Sequence, residues 1–349
     1  MAASIDLADP RKRNLAILGG ITLLFVGLAA VAVVQQASLL APKFDPRPVF
    51  AGMTDSLETL GEITIASKDG TFHVRQAQGK WVVVEKDSFP ADLGLIRATA
   101  VGLAGLELLE PKTSRADWLT YIGLAAPDAG GTGMTVTVND TAGKEVAGLI
   151  VGNAQGATDL LGRSTLYVRR PNENQAWLAR GYLAAKPLLS DWLDRAIIPV
   201  ARDRVRDATV DPATGPTYTM VRDSKDMPDF RVLDLPRGRE LSFPGSPDGV
   251  AGAITGFNFT DVAKANPADF NNVPQSVTNT FDGLEVTVKI ATKGMDNWAT
   301  VSARATNPMV QTEADAINAR AAGWAFKLPE MNVTQLISPL ETLLKPAGG

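Results

Sequence analysis

The sequence predicts an α+β protein with an N-terminal transmembrane helix, followed by two similar domains of mainly antiparallel sheet with packed helices. Three observations predict it: one long apolar run, alternating strand-like segments between helical ones, and short motifs that recur in order in the second half. The predicted organisation is a cytoplasmic N-terminus at 1–14, a transmembrane helix at 15–34, a linker at 35–60, a first domain at 61–200 and a second domain at 201–349.

The apolar run is LAILGGITLLFVGLAAVAVV, from Leu15 to Val34, and Thr22 is its one polar residue. Twenty helical residues span roughly 30 Å, the thickness of the hydrocarbon core of a bilayer. Arg11-Lys12-Arg13 directly precedes the run, and basic clusters of this kind stay in the cytoplasm. We therefore expect a single-pass membrane protein whose body lies on the side of the membrane opposite the cytoplasm.

Two alternatives to an anchor remain open at this point. A cleavable signal peptide also combines basic residues with an apolar run, but its hydrophobic region is about 7–15 residues long and ends at a small-x-small site. Here Ala30-Val31-Ala32 lies inside the run, which favours an uncleaved anchor. A buried helix of a soluble domain is the other alternative. Lys43 and Arg47 follow the run closely, so the orientation depends mainly on the basic triplet.

Composition limits the classes of function. The chain of 349 residues has no cysteine, which excludes a disulfide framework, a thiolate zinc site and a cysteine nucleophile. A formal net charge of −4 argues against a general nucleic-acid binder, because such proteins carry basic surfaces. With 45% hydrophobic and 21% charged residues, the part beyond the anchor should be a folded body.

The first half begins with a proline-rich spacer at 42–48 and a predicted β-meander, which is followed by a helix from Ser88 to about Glu110 and by four further strands. The meander strands are predicted at 62–67, 71–76 and 80–86, and the later strands start at Met134, Glu145, Ser164 and Gln175. Asp92 provides a helix-start signal, because a carboxylate favours the positive end of the helix dipole. Residues 182–198 read as a helix on both sides of Pro187.

The second half repeats this outline. Strands are predicted at 206–211, 217–222, 230–235, 283–292 and 297–305, with a helix at about 247–265. Ser242-Phe243-Pro244 repeats Ser88-Phe89-Pro90 at a spacing of 154, and Ala268-Asp269-Phe270 echoes Ala116-Asp117-Trp118 at a spacing of 152. This order predicts an internal duplication. An alanine-rich helix that opens at Thr312 has no equivalent in the first half, and a C-terminal helix at 332–344 should break near Pro339.

Several residues, taken in order, resemble a known family. They are the apolar anchor, Trp81, Phe89-Pro90-Ala91-Asp92, Tyr121-Ile122-Gly123-Leu124 with Pro127, Ile150-Val151-Gly152 and Leu166-Tyr167-Val168-Arg169. From about residue 60 onwards, the chain resembles a bacterial domain-of-unknown-function family, number 4340. Ile122 departs from the family pattern, where Tyr-Gly-Leu is expected. The resemblance implies a periplasmic single-pass protein that works beside a GldG-like ABC-type transport system of the gliding-motility kind, and it implies no catalytic residues.

The candidates for catalysis or metal binding are weak. His73 is the one histidine and lies in a predicted strand, whereas a histidine metal site needs several ligands. The segment GLIVGNAQG, from Gly148 to Gly156, lacks both the Gly-Lys-Ser/Thr of a P-loop and the dinucleotide glycine spacing. Ser164 and Ser190 lack the nucleophile-elbow pattern.

Two charged segments allow alternative interpretations. Asp191 and Asp194 would share a helix face and could act as paired acids or bind a hard cation, but Arg195 favours capping and ion pairing. Residues 202–207 alternate in charge sign, which is typical of a solvated edge or a domain contact and less so of an anion site. The tryptophans are dispersed, which favours core and rim positions, and Trp192 is predicted to cap the first core.

We therefore predict no catalytic, cofactor-binding or metal residues and no enzymatic activity. The expected function is a non-catalytic accessory or scaffold subunit of an ABC-type transport complex, with the membrane and an ABC-type permease or GldG-like protein as partners and no nucleic acid. The alternatives are a periplasmic lipid- or polymer-binding module and, less strongly indicated, a carboxylate-based envelope hydrolase that uses residues such as Asp191.

Overall fold

The computed structural model describes residues 10–40, 44–156 and 158–346. The predicted cytoplasmic segment before residue 10, residues 41–43 of the predicted linker and the last three residues of the predicted tail lie outside this range. The helices of the described residues are α1 (Pro10–Leu40), α2 (Leu93–Ala104), α3 (Asp248–Ala251), α4 (Gln311–Ala321) and α5 (Glu330–Leu336).

Helix α1 covers the whole apolar run and extends beyond both of its ends. Its side chains are described at positions 14, 17, 18 and 20–32, and all of these are exposed. Among the residues that the structure describes, no helix combines the length and the apolar character that crossing a membrane requires.

The first sheet is antiparallel and contains ten strands within the described residues. They are β1 (Arg47–Pro48), β2 (Leu60–Ser67), β3 (Gly70–Ala77), β4 (Lys80–Val83), β5 (Phe89–Pro90), β6 (Glu107–Pro111), β7 (Met134–Asp140), β8 (Glu145–Gln155), β9 (Ser164–Arg169) and β10 (Trp177–Gly181). Their order across the sheet is β1-β6-β10-β9-β8-β7-β2-β3-β4-β5. Alternating apolar residues of β2, β3 and β7 point to the core, as the period of two requires.

The second sheet is also antiparallel, with eight strands among the described residues. They are β11 (Val205–Asp211), β12 (Tyr218–Val221), β13 (Arg231–Val232), β14 (Asp261–Lys264), β15 (Gln275–Thr280), β16 (Leu284–Lys293), β17 (Asp296–Ala305) and β18 (Trp324–Leu328). Their order is β13-β12-β11-β15-β16-β17-β18-β14. The predicted boundary at residue 200 falls between the last strand of the first sheet and the first strand of the second.

The two sheets share one strand order. The run β4-β3-β2-β7-β8-β9-β10-β6 of the first sheet matches the whole of the second, strand for strand in chain order. The match extends to a β-bulge: Leu60 pairs with Asp140 before Glu62 pairs with Asn139, and Val205 pairs with Thr280 before Asp207 pairs with Asn279. One backbone hydrogen bond is also repeated beside these bulges. The Thr141 amide donates to the Thr59 carbonyl just before β2, and the Phe281 amide donates to the Arg204 carbonyl just before β11, both over 2.9 Å.

The structure confirms the predicted strands of the β-meander and those that start near residues 134, 145, 164 and 175. It adds strands that the sequence did not indicate, among them β14, β15 and β18. These are short or rich in Ser, Thr and Ala, so that pairing with neighbours rather than their own hydrophobic pattern determines them.

Three helix predictions were wrong in part. Helix α2 begins at Leu93, with Asp92 as its N-cap, and ends at Ala104 before Gly105, so the residues near Glu110 belong to β6. Residues 182–198 form no α-helix and contain a 3-10 turn at Leu189–Trp192. There the chain crosses the start of α2, and the Asp92 amide donates to the Trp192 carbonyl over 2.9 Å.

The third wrong prediction is the helix at 247–265. Only α3, the 3-10 turn Ala253–Gly256 and then β14 occupy this segment. Gly252 and Gly256 interrupt the helical run, and pairing of β14 with β18 decides the rest. Helix α4 is confirmed, and the C-terminal helix breaks as predicted, because α5 ends at Leu336 and the 3-10 turn Leu340–Leu343 follows Pro339.

The two halves share one hydrophobic core rather than having separate ones. Phe89 of the first half is fully buried among aromatic rings of the second half. Its ring centroid lies 5.0 Å from that of Trp324, 6.1 Å from that of Phe259 and 6.2 Å from that of Phe326, all edge to face. Near this contact, Lys86 also pairs with Asp261 at 2.5 Å. The body is therefore interlocked by side chains that lie far apart in sequence.

Candidate functional site

His73 lies on β3 and pairs with a carboxylate that follows β4. Its ring Nδ1 is 2.6 Å from Oε1 of Glu85, and its backbone amide donates to Oε2 over 2.9 Å. Partial burial raises the pKa of Glu85, but the hydrogen bonds with His73 lower it by more. The pKa of Glu85 therefore lies below its usual value. This pair links β3 to the segment that follows β4.

Asp191 and Asp194 do not share a helix face, because the predicted helix is absent. Oδ1 of Asp191 lies 3.6 Å from Nη2 of Arg195, and Oδ1 of Asp194 accepts from the Ala196 amide over 3.0 Å. Arg195 also donates to the Ser190 carbonyl over 2.9 Å. The two carboxylates therefore serve an ion pair and a turn, the alternative that Arg195 favoured.

Two glycines of the Gly148–Gly156 segment, Gly148 and Gly152, lie close to neighbouring groups. A Cβ on Gly152 would lie 2.4 Å from the Ile122 carbonyl oxygen, and one on Gly148 would lie 2.5 Å from a carboxylate oxygen of Glu145. These glycines stand on strand β8, which lets the segment around Gly123 lie directly on the sheet. Gly123 closes the preceding 3-10 turn with a φ of 71°, so the chain accommodates Ile122 before it.

The alternating charges of 202–207 are paired within the second half. Arg204 forms a two-pronged contact with Glu313 of α4, at 2.8 and 2.7 Å, and also donates to Asp282 over 3.0 Å. These carboxylates raise the pKa of Arg204 above its usual value despite some desolvation. Asp207 accepts from the Asn279 amide over 2.7 Å. The segment therefore holds α4 to the sheet.

The tryptophans have different environments. Trp192 is fully buried in the core that both halves share, and its ring N–H donates to the Lys186 carbonyl over 3.0 Å. Trp324 lies in the contact between the halves, and Trp118 is exposed beneath the guanidinium of Arg115, whose central carbon is 5.1 Å from the ring centroid. Two others, Trp81 and Trp177, line cavities.

A groove of about 610 Å³ lies beside Trp81 at the start of α2. Pro90, Ala91 and Asp92, which belong to the family-like motif, line it together with Lys80, Arg97 and Asp194. Asp92 is engaged as the N-cap, because its Oδ1 accepts from the Gly94 and Leu95 amides over 2.7 and 3.0 Å. The groove therefore offers an aromatic wall and basic side chains to a ligand or a partner segment.

A second cavity, of about 380 Å³, lies where the chain enters the first sheet. Its polar rim is formed by Arg47, Arg169, Arg170 and Glu173, and Trp177 forms one wall. We call this space the Arg47 cavity. Burial lowers the pKa of the Arg169 guanidinium, and Asp128 opposes that shift. The five cavities described for the molecule, including these two, are each lined by residues of one half only.

No group of three or more histidine, aspartate or glutamate side chains in the described part of the chain is arranged to hold a metal ion. Residues 81–242 match the family model described as "Domain of unknown function (DUF4340)". This segment supports the family that the sequence resembles. It begins within β4 and ends between β13 and α3, and therefore crosses from the first sheet into the second. No curated protein and no solved structure matches the chain.

Sequence reasoning did not identify the two cavities. Trp81 and Phe89-Pro90-Ala91-Asp92 were noticed as family-like motifs, and that pattern is the one sequence signal that pointed to the groove. The residues around the Arg47 cavity come from β1 and the chain after it, from β6, β8, β9 and β10 and from the turn after β9, so nothing in their sequence spacing joins them.

Proposed function

We propose that the protein is a single-pass inner-membrane protein whose periplasmic body acts as a non-catalytic accessory or scaffold subunit of an ABC-type transport complex. The observation that carries this proposal is a long helix with exposed apolar side chains, joined to the body by residues 41–43. The similarity of residues 81–242 to a domain of unknown function is consistent with the proposal and does not assign an activity.

The character of α1 supports the anchor. Leu23 is 75% exposed and Phe25 is 66% exposed, and apolar side chains occur all around the helix rather than on one stripe. A helix that is apolar on all sides needs an apolar environment on all sides. In the sequence, the twenty residues of the apolar run from Leu15 to Val34 match the roughly 30 Å of a hydrocarbon core when they are helical. The triplet at 11–13 favours a cytoplasmic N-terminus.

The construction of the body supports a scaffold role. From the shared strand order and the repeated bulge we infer an internal duplication, which gives two equivalent units joined through one core. Buried aromatic contacts between them, centred on Phe89, resist relative motion. A rigid body close to the bilayer suits positioning of partner proteins in the same membrane.

The test is affinity purification from gently solubilised membranes, with the tag at the C-terminus. We expect an ABC permease or a GldG-like protein to co-purify in proportion to the tagged chain. A tagged chain in which an unrelated single-pass helix replaces residues 10–40 is the control, because it separates partners of the body from partners of the helix. Recovery of the chain without a transport component would contradict the accessory function.

The groove beside Trp81 favours a second function, a periplasmic lipid- or polymer-binding module. Its volume of about 610 Å³ is in the range of small-molecule sites, and the half-buried ring of Trp81 gives it an aromatic wall on which a ligand could stack. Trp81→Ala should then abolish retention of an envelope lipid or glycan during purification, whereas Trp118→Ala should not. Equal retention by both variants would exclude the groove as the binding site.

A further inference from the structure

In the Arg47 cavity, the guanidinium of Arg47 lies against two aromatic rings. The guanidinium carbon of Arg47 lies 5.3 Å from the ring centroids of both Phe44 and Trp177, whose rings are themselves 5.2 Å apart. Among the described residues, no carboxylate comes within 4.0 Å of this guanidinium. No hydrogen-bond acceptor among the described residues accepts from the N–H groups of the Arg47 side chain either. The side chain is thus held by two aromatic rings while its charge and donors stay available.

The second basic group of the cavity is Arg170. Its Nη2 donates to the Val49 carbonyl over 3.2 Å, which ties the turn after β9 to the chain beside β1. Its Nη1 lies 3.6 Å from Oε1 of Glu173, longer than a hydrogen bond. Glu173 is the one carboxylate that lines the cavity, against three arginines, so the lining is net positive.

Arg169 fixes this arrangement in advance. It is buried, and its Nη1 donates to the carbonyls of Arg170, Pro171 and Glu173 over 3.3, 3.0 and 3.1 Å. Its Nε donates to the Leu124 carbonyl over 2.8 Å. These four bonds hold the turn that presents Arg170, so that a ligand would not have to order it. Arg169 is a positioning residue, and its charge adds to the positive potential of the cavity.

We propose that the Arg47 cavity binds a phosphate-bearing anion, with Arg47 and Arg170 as its direct ligands. Guanidinium groups match phosphate oxygens in two-pronged geometry, and the cavity has room for more than the phosphate itself. The cavity takes a phosphate either from a phospholipid headgroup or from solution.

The position of the cavity favours the phospholipid source, and this part of the proposal rests on the proposed membrane anchor. Phe44 and Arg47 follow α1 directly, and four Cα–Cα steps from Leu40 to Phe44 span at most about 15 Å. The six helical residues after Val34 add about 9 Å along the axis. Tryptophan is enriched at both membrane–water interfaces, and guanidinium groups match the phosphate oxygens of lipid headgroups.

Two measurements on the full chain separate the sources. In nanodiscs of phosphatidylcholine and phosphatidylglycerol, native mass spectrometry counts the phosphatidylglycerol molecules that stay bound after release. In detergent micelles without added phospholipid, ³¹P NMR line broadening follows binding of inorganic phosphate. The second measurement does not depend on the anchor, so its failure is distinguishable from failure of the proposed function, which co-purification tests.

The variants are Arg47→Gln and Arg170→Gln, with Arg115→Gln as the matched control. Arg115 also stacks on a tryptophan and is exposed, but it lies outside the cavity. Loss of a charge-assisted hydrogen bond should weaken binding about tenfold or more in the first two variants and leave the control unchanged. Arg47→Lys keeps the charge without the two-pronged geometry, so its affinity should lie between those of wild type and Arg47→Gln. Because it retains a long basic side chain, partial binding by Arg47→Lys would show that the loss in Arg47→Gln is not a folding defect.

A lipid headgroup is supported if the wild-type chain retains phosphatidylglycerol and both cavity variants, Arg47→Gln and Arg170→Gln, lose it. Binding of inorganic phosphate alone, with the same dependence on Arg47, would support a soluble phosphate compound. The proposal is overturned if wild type and Arg47→Gln bind equally well in both measurements. It is also overturned if the control Arg115→Gln loses as much binding as the two cavity variants, Arg47→Gln and Arg170→Gln.

Discussion

Phe89 and Phe243 show how one motif has two different environments. Both belong to a Ser-Phe-Pro triplet, but Phe89 is 0% exposed between the halves whereas Phe243 is 61% exposed. The sequence predicted that the triplets correspond, and it could not predict which phenylalanine is buried. That depends on rings at 259, 324 and 326, which the fold brings together.

Phe89→Ala should lower the free energy of unfolding by about 3–5 kcal/mol, because it leaves a cavity in a core shared by both halves. Phe243→Ala, the matched control, should change it by roughly 0.5 kcal/mol or less. Urea unfolding followed by circular dichroism measures both values. Similar losses for the two variants would show that the halves do not depend on the buried ring.

The Glu85–His73 pair predicts a dependence of stability on pH. Because the pKa of Glu85 in the folded chain lies below its unfolded value, its contribution is present above the unfolded value and is lost as pH falls through the folded pKa. Glu85→Gln should therefore be slightly less stable than wild type at pH 7, and the difference should shrink as the pH falls below about 4. Chemical unfolding over this range tests it, and a difference that grows in acid would contradict the assignment.

At the scale of elements, strands were predicted better than helices. The period of two in 62–67, 71–76 and 134–140 reflects one buried face, so it survives in the fold. Residues 182–198 also have helical spacing, yet Trp192 and Leu193 are buried by an extended path across α2. Spacing alone does not distinguish a buried helix from a buried extended segment, because both bring apolar residues to the core.

Gly102 on α2 makes that extended path possible. A Cβ there would lie 2.3 Å from the Tyr182 carbonyl oxygen, whereas one on Gly249 of α3 meets no atom within 4 Å. Gly102→Ala should destabilise the body by about 1–3 kcal/mol through overpacking. Gly249→Ala should be neutral or stabilising by up to about 1 kcal/mol, because alanine favours the helix.

Thermal or urea unfolding of these two glycine variants gives the comparison. The same direction of change in both variants would mean that helix propensity, rather than the contact with residue 182, determines the result at Gly102. Hydrogen exchange of α2 and of residues 182–198 should increase together in Gly102→Ala, since one segment packs on the other.

At the scale of the molecule, two short repeated motifs in the sequence predicted a duplication, but no sequence pattern predicted that the two halves share one core. Sequence patterns report the local period of each strand, whereas the contact between halves joins residues that are more than a hundred positions apart. The same reason hides the Arg47 cavity, whose walls come from separate strands and from the segment after α1.

Alkaline carbonate extraction of membranes from cells that express the full chain tests attachment most directly. We predict that the chain stays in the membrane pellet, and that a Leu24→Arg/Leu28→Arg variant is released in part, because each central arginine costs about 2.5–3.5 kcal/mol on insertion scales. Recovery of the wild-type chain in the soluble fraction would contradict a body held at the bilayer by α1.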